Sequence, residues 1–147
     1  MSIYFIDANI VMYAVGREHE YKQFCSAILR DIGDEKITAV TDTEVLQEIL
    51  YRYFMIGKGK DGLETAKDFS VAVSDVLFVT KREVETTFEL LKKYPDLPPR
   101  DHIHVAVMIN NDIREIISTD KHFDQIEEVS RVDPKEFGQW QGWMSGI

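Results

Sequence analysis

The feature that most constrains this chain is the alternation of short apolar runs with stretches of helical period. Ile-Tyr-Phe-Ile at 3–6, Ile37 to Val40, Val76 to Val79, Glu115 to Thr119 and Val129 to Val132 have the length and β-favouring content of buried strands. Between them, helical patterns cover 20–32, 42–57, 63–74, 82–93 and 101–111. In 42–57 the apolar stripe is Val45, Leu46, Ile49, Leu50, Tyr53 and Phe54. Strands that alternate with helices are joined by crossovers, and crossovers give a parallel sheet covered on both faces. The predicted fold class is therefore α/β: a three-layer α/β/α domain around a central, mainly parallel sheet of four to five strands.

Turn chemistry punctuates this pattern. Lys58-Gly59-Lys60-Asp61-Gly62 predicts a turn, and Pro95, Pro98 and Pro99 predict a break. The run DHIHVAVMINN at 101–111 is apolar on nearly every side, which predicts a deeply buried helix. Asp120 to Gln125 predicts a turn or short helix. No repeat or Pro/Gly/Ser-rich linker divides the 147 residues, so one domain is expected over 1–134. The tail, 135–147, carries two tryptophans without a clear period and is expected to pack on the body or on a partner.

A single cysteine, Cys25, excludes a disulfide framework and fits a reducing compartment. No apolar run approaches the roughly 20 residues of a membrane-spanning helix. The opening MSIYFIDAN also lacks the pattern of a secretory signal. A cytoplasmic protein without a membrane partner is expected. Charge sets a further condition. Seventeen Lys and Arg against 26 Asp and Glu give a net charge of −9, which argues against tight, sequence-independent binding to nucleic acid by basic groups. If a polyanion is the substrate, something other than net charge must hold it.

Several acids stand where open parallel sheets bind ligands, beyond the carboxyl ends of the strands. Asp7 follows the first strand, Asp120 follows Glu115–Thr119, Asp101 opens the buried helix, and Glu48 lies within the 42–57 helix. Each also has a plainer reading, as a helix cap or, for Glu48, as a partner of Arg52 one turn on. Together they suggest a site for a hard divalent cation, since Mg²⁺ and Mn²⁺ favour carboxylate and water oxygens and are often shared with substrate phosphates. At about 100° per residue Glu48 falls nearer the apolar edge at Val45 and Ile56 than Glu44 does, which makes Glu48 the better candidate. Glu44 remains an alternative.

The segments IYFIDAN (3–9), VLQEILYRY (45–53), PRDHIHVAVMINN (99–111) and STDKHFDQI (118–126), in that order, resemble the four signature segments of the PIN-domain family. The resemblance covers the chain to about Pro134. It implies an α/β/α fold and, for many members, metal-dependent ribonuclease activity, including that of VapBC-type toxins. Carried over residue by residue, it implies that Asp7, Glu48, Asp101 and Asp120 are catalytic and hold Mg²⁺ or Mn²⁺, with Asp124 close to that site. Asn9 matches a position that supports the first aspartate. Ser118 and Thr119 are candidates to hydrogen-bond the acids, and Arg100 and Lys121 to hold substrate phosphate. The resemblance further implies an RNA substrate, a homodimer and an antitoxin partner.

Other signals are set aside. His102 and His104 lie two apart on different helical faces, while His19 and His122 have no partner at ligand spacing, so no zinc site is expected. Tyr51, Tyr53 and Phe54 are expected to serve core or dimer packing rather than base stacking. Two rival functions stand beside the nuclease: a catalytically inactive PIN domain acting as an RNA- or protein-binding scaffold, and a phosphoryl-accepting receiver-like domain. The complete acidic quartet argues against the first. The lack of an acidic neighbour for Asp7 argues against the second.

Overall fold

The computed structural model describes residues 2–140, with side chains to 137. The strands are β1 (Ile3–Ile6), β2 (Thr38–Asp42), β3 (Asp75–Leu77), β4 (Glu115–Ile117) and β5 (Ser130–Val132). They form one sheet of order β3-β2-β1-β4-β5, with every pairing parallel. The helices are α1 (Ala8–Val15), α2 (Lys22–Gly33), α3 (Thr43–Met55), α4 (Gly59–Ala72), α5 (Lys81–Lys93), α6 (Pro99–Asn110) and α7 (Pro134–Trp140). A short 3₁₀ helix spans Lys121–Gln125.

The pleat of β1 shows the two covered faces. Tyr4 meets the ring of Phe137 on α7 edge-on at 5.1 Å, while the next residue, Phe5, meets His104 on α6 at 5.4 Å. Successive side chains of a strand point to opposite faces, so α7 and α6 lie on opposite sides of the sheet. Helix α7 packs on α2, and α5 packs on α6. Phe5, Ile6, Ile116 and Ile117 are fully buried between the layers. Among the described residues no helix is long and apolar enough to cross a membrane.

Helix α6 begins with Pro99 in its first turn, where the missing N–H costs nothing. Its Val105 to Met108 are all fully buried, as an all-round apolar helix requires. Two local features depart from the sequence expectations. The turn expected at 58–62 is confined to 56–58, with Gly57 at φ 74°, and α4 already begins at Gly59. Gly62 is a helical glycine whose Cβ would sit 2.5 Å from the Cβ of Tyr53, so its bareness lets α4 close on α3. Helix α1, for which the sequence patterns predict nothing, starts directly from the Asp7 cap. Of the three aromatic residues expected in core or dimer packing, Tyr53 packs against the core, while Tyr51 and Phe54 are exposed on α3. Trp143 and the rest of the tail beyond residue 140 lie outside the described residues.

Candidate functional site

Strand β1 is the point where the chain changes direction in the sheet: it runs first towards β2 and β3, then returns to β4 and β5 on the other side. Crevices in open α/β sheets form at such switch points, at the carboxyl ends of the strands. Here a cleft of about 210 Å³ is lined by Asp7, Asn9, Glu48, Arg52, Arg100, Asp101, Asp120 and His122, among others. Four acids from four separate segments thus converge, although Asp7 and Asp120 are 113 positions apart.

Asp7 is held on three sides. Its Oδ1 accepts the Ala8 N–H at 2.8 Å, which caps α1. Its Oδ2 accepts from Ser118 Oγ at 2.7 Å and from Asn9 Nδ2 at 3.1 Å. Ser118 Oγ in turn accepts the Asp120 N–H at 3.0 Å, and Asn9 Oδ1 accepts the Thr119 N–H at 3.2 Å. The cap reading of Asp7 and the ligand reading are therefore compatible, because one oxygen caps while the other faces the network. Asn9 and Ser118 tie the end of β1 to the end of β4. Thr119 enters this network through its backbone.

Glu48 is buried, and its Oε2 lies 3.1 Å from Arg52 and 3.8 Å from Arg100. Burial and the nearby Asp7 raise its pKa above the ordinary carboxylate value. Glu44, one turn earlier, is only half-buried and does not line the cleft. Asp101 is also buried, and burial followed by repulsion from Asp120 raises its pKa. His122 Nδ1 sits 3.0 Å from Asp101 Oδ2 and 3.0 Å from Asp120 Oδ1. The hydrogen bond to Asp101 foremost raises the pKa of this imidazole.

Asp124 is not brought to the cleft. Its two oxygens accept from Arg131 Nε at 2.9 Å and Nη2 at 3.1 Å, a fork-to-fork pair on the exposed side of the 3₁₀ helix. Arg131 also donates to the Ser118 carbonyl at 2.9 Å, so it links Asp124 to the residues just past β4. Lys121 is exposed and does not line the cleft, whereas Arg100 does.

The sequence reading set the histidines aside, yet two stand among the acids. His122 bridges Asp101 and Asp120. His104 is fully enclosed, with Nδ1 2.7 Å from Asp42 Oδ2 and Nε2 buried without a hydrogen-bond partner. Ligand atoms of Asp7, Glu48 and His104 lie within 4.8 Å of one another. Burial disfavours charge on this ring, but Asp42, with help from Asp7 and Glu48, outweighs it and holds the pKa at about 9. The acids present carboxylate oxygens, the donors hard divalent cations prefer, in mutual repulsion that such a cation would relieve. The residues present fit a divalent cation.

The family model for the PIN domain matches residues 4–129. The chain belongs to the PIN-domain family. A VapC ribonuclease of Mycobacterium bovis and ribonuclease VapC13 of Mycobacterium tuberculosis are each 38% identical to this PIN domain over 130 residues, covering 86% of the chain and 97% of the relative. Among solved structures, the Mycobacterium tuberculosis toxin VapC20, described as cleaving the sarcin-ricin loop, superposes with a TM-score of 0.70 at 19% identity, over 86% of this chain and 95% of that one. The VapBC2 complex of Rickettsia felis bound to promoter DNA gives a TM-score of 0.70 at 16% identity, over 89% of this chain and 98% of that one. These structural likenesses confirm the α/β/α fold with its parallel sheet.

Proposed function

We propose that this PIN domain is a ribonuclease that hydrolyses RNA phosphodiester bonds with Mg²⁺ or Mn²⁺. The observation that carries the proposal is the convergence of Asp7, Glu48, Asp101 and Asp120 in one cleft at the switch point of the sheet. The ribonuclease names of relatives 38% identical to it support the reaction class.

The four carboxylates hold the cation, with Asn9 and Ser118 fixing the orientation of Asp7. When bound, a divalent cation lowers the pKa of water and offsets charge on the phosphate oxygens. Arg52 and Arg100, both beside Glu48, bring positive charge to the acidic cleft and orient the substrate phosphate. His122 holds a proton at Nδ1 between Asp101 and Asp120. No side-chain nucleophile is required. Cys25 is unsuited to that role, since it is fully buried and burial pushes its thiol pKa up to about 12.

The biological role we infer is that of the toxin in a VapBC-type pair in the cytoplasm. Two features support partners. A groove of about 760 Å³ between α1 and the α3–α4 pair includes Met12, Val15, Tyr53 and Ile56, and suits an antitoxin segment. Phe78, Val84, Phe88 and Ile109 are exposed apolar residues on β3, α5 and α6 and their margins, and suit a second copy of the chain.

The test is cleavage of a panel of structured and unstructured RNAs in EDTA, Mg²⁺ or Mn²⁺, by wild type and by folded Asp7→Asn and Asp101→Asn variants. Cutting that needs metal and is lost in both variants is expected. A wild type inert under every condition, after removal of any co-purified partner, would leave the inactive scaffold as the better reading.

A further inference from the structure

Helix α6 brings His104 beneath Asp7 and Glu48, and its ring is oriented from behind. Asp42 Oδ1 accepts the Val45 N–H at 2.8 Å as the cap of α3, which fixes that carboxylate with no exposure to solvent. Its Oδ2 then faces His104 Nδ1 at 2.7 Å. A carboxylate at this distance accepts, so Nδ1 carries the hydrogen and donates it. The other nitrogen, Nε2, is left buried and unpartnered among the described residues. An unpaired buried polar atom is costly, and one retained at a site asks for a ligand.

We propose that His104 Nε2 directly ligates the divalent cation held by Asp7 and Glu48, which makes this a mixed nitrogen–oxygen site that prefers Mn²⁺ to Mg²⁺. The proposal rests on the metal-dependent reading above and adds a ligand to it. Ligation releases the Nε2 proton to solvent, and Asp42, His104 and the cation would then form the carboxylate–histidine–metal relay, in which the carboxylate keeps the hydrogen on Nδ1 and leaves the Nε2 lone pair for the metal. The spacing suits this role. Donors about 2.1 Å from one ion stand at most about 4.2 Å apart, and a ring nitrogen of His104 lies within 4.8 Å of carboxylate oxygens of Asp7 and Glu48; with Nδ1 engaged by Asp42, Nε2 is the nitrogen left to meet a cation there. Imidazole suits first-row transition ions, whereas Mg²⁺ favours oxygen donors and water, which sets the direction of the preference. His102 shows that an unpartnered nitrogen alone is not enough: its Nε2 meets the Tyr94 carbonyl at 2.8 Å and its buried Nδ1 has no partner, yet it belongs to neither group of acids, whereas His104 stands with Asp7 and Glu48.

Pulsed EPR on protein loaded with one equivalent of Mn²⁺ tests the assignment through the ¹⁴N coupling of a bound imidazole. His122 is the second histidine near acids, so His122→Gln is measured beside His104→Gln. The coupling is expected in wild type and in His122→Gln, and absent in His104→Gln. In a competition titration, His104→Gln should also lose at least tenfold of the preference for Mn²⁺ over Mg²⁺. If His104→Gln does not fold, wild type and His122→Gln still decide, since His19 and His102 belong to neither acidic group. Tight Mn²⁺ binding without nitrogen coupling in wild type, or coupling that persists in His104→Gln, would overturn the ligand assignment alone. Failure of wild type to bind Mn²⁺ at all would overturn the metal-dependent reading with it.

Discussion

Gathering acids for a cation should cost the metal-free protein stability, and Asp101→Asn measures that cost. Ligand oxygens of Asp101 and Asp120 lie within 4.8 Å. Two like charges at that separation repel by about 3.5 kcal/mol at an effective dielectric constant near 20, and by about 0.9 kcal/mol in bulk water. Asp101 is buried but Asp120 is half-exposed, so the real value falls between these. Against this relief stands the charge-assisted hydrogen bond from His122, whose ring is partly exposed; its loss costs about 1.5 kcal/mol, the low end for charged partners. A net gain of about 1 kcal/mol is expected for the Asn variant in EDTA at pH 7, which raises Tm by about 2–4 °C for a domain of this size. Calorimetric melts at low salt, repeated at 0.5 M salt, read the effect, and the gain should shrink as screening grows. Adding Mn²⁺ at about 100 times its Kd should stabilise wild type by about 2.7 kcal/mol and reverse the order of the two melts. An Asn variant less stable than wild type by more than about 1 kcal/mol in EDTA would refute the reasoning, because the acid would then be a structural anchor.

Three further outcomes follow from the same structure. Gly62→Ala should destabilise by about 1–3 kcal/mol in urea titrations despite the better helix propensity of alanine, because its Cβ would meet Tyr53 Cβ at 2.5 Å. Gly59→Ala, which meets nothing within 4 Å, should not. Glu83 is held to a pKa of about 2 by hydrogen bonds from Thr80 and Asn110, against an ordinary value of 4.5. A carboxyl depressed on folding contributes stability above pH 4.5 and loses it as pH falls towards 2, so urea midpoints of Glu83→Gln should fall less steeply over that window than those of wild type. Arg131→Ala should slow RNA cleavage several-fold with little change in metal affinity measured by calorimetry, because Arg131 steadies the Ser118 strand end without touching the acids. Unchanged cleavage would show that this strand end needs no such support.

The parts of the site legible in the sequence are those that follow from strand ends and helix faces. Asp7 and Asp120 each stand at the exit of an apolar run, and parallel strands place such exits on one edge. Helical phase and the VLQEILYRY segment both favour Glu48 over Glu44, and the structure turns Glu48 into the cleft. What escaped depended on partners distant in sequence. Asp124 resembles a site acid because it follows Asp120 closely, but Arg131, on β5 beside the 3₁₀ helix, takes both its oxygens. Spacing between histidines gives no sign of His104, because its partner, Asp42, lies 62 positions away at the end of β2, where it caps α3. A local signal did exist: His104 stands one helical turn after Asp101. Helix α1 was hidden for another reason, since ANIVMYAV is apolar on most sides and shows little of the two-faced period that marks a surface helix. The start of α4 was hidden by its glycines, which serve close packing on α3 rather than a turn.

The central claim, that the acid cleft holds a cation needed for phosphodiester hydrolysis, is tested most directly by measuring binding and cutting together. Calorimetric binding of Mn²⁺ and the rate of RNA cleavage are followed over the same range of metal concentration, in wild type and in Asp7→Asn. The two curves of wild type are expected to share a midpoint, and both signals to be lost in the variant. Cleavage that proceeds in EDTA, or metal binding that Asp7→Asn leaves unchanged, would contradict it.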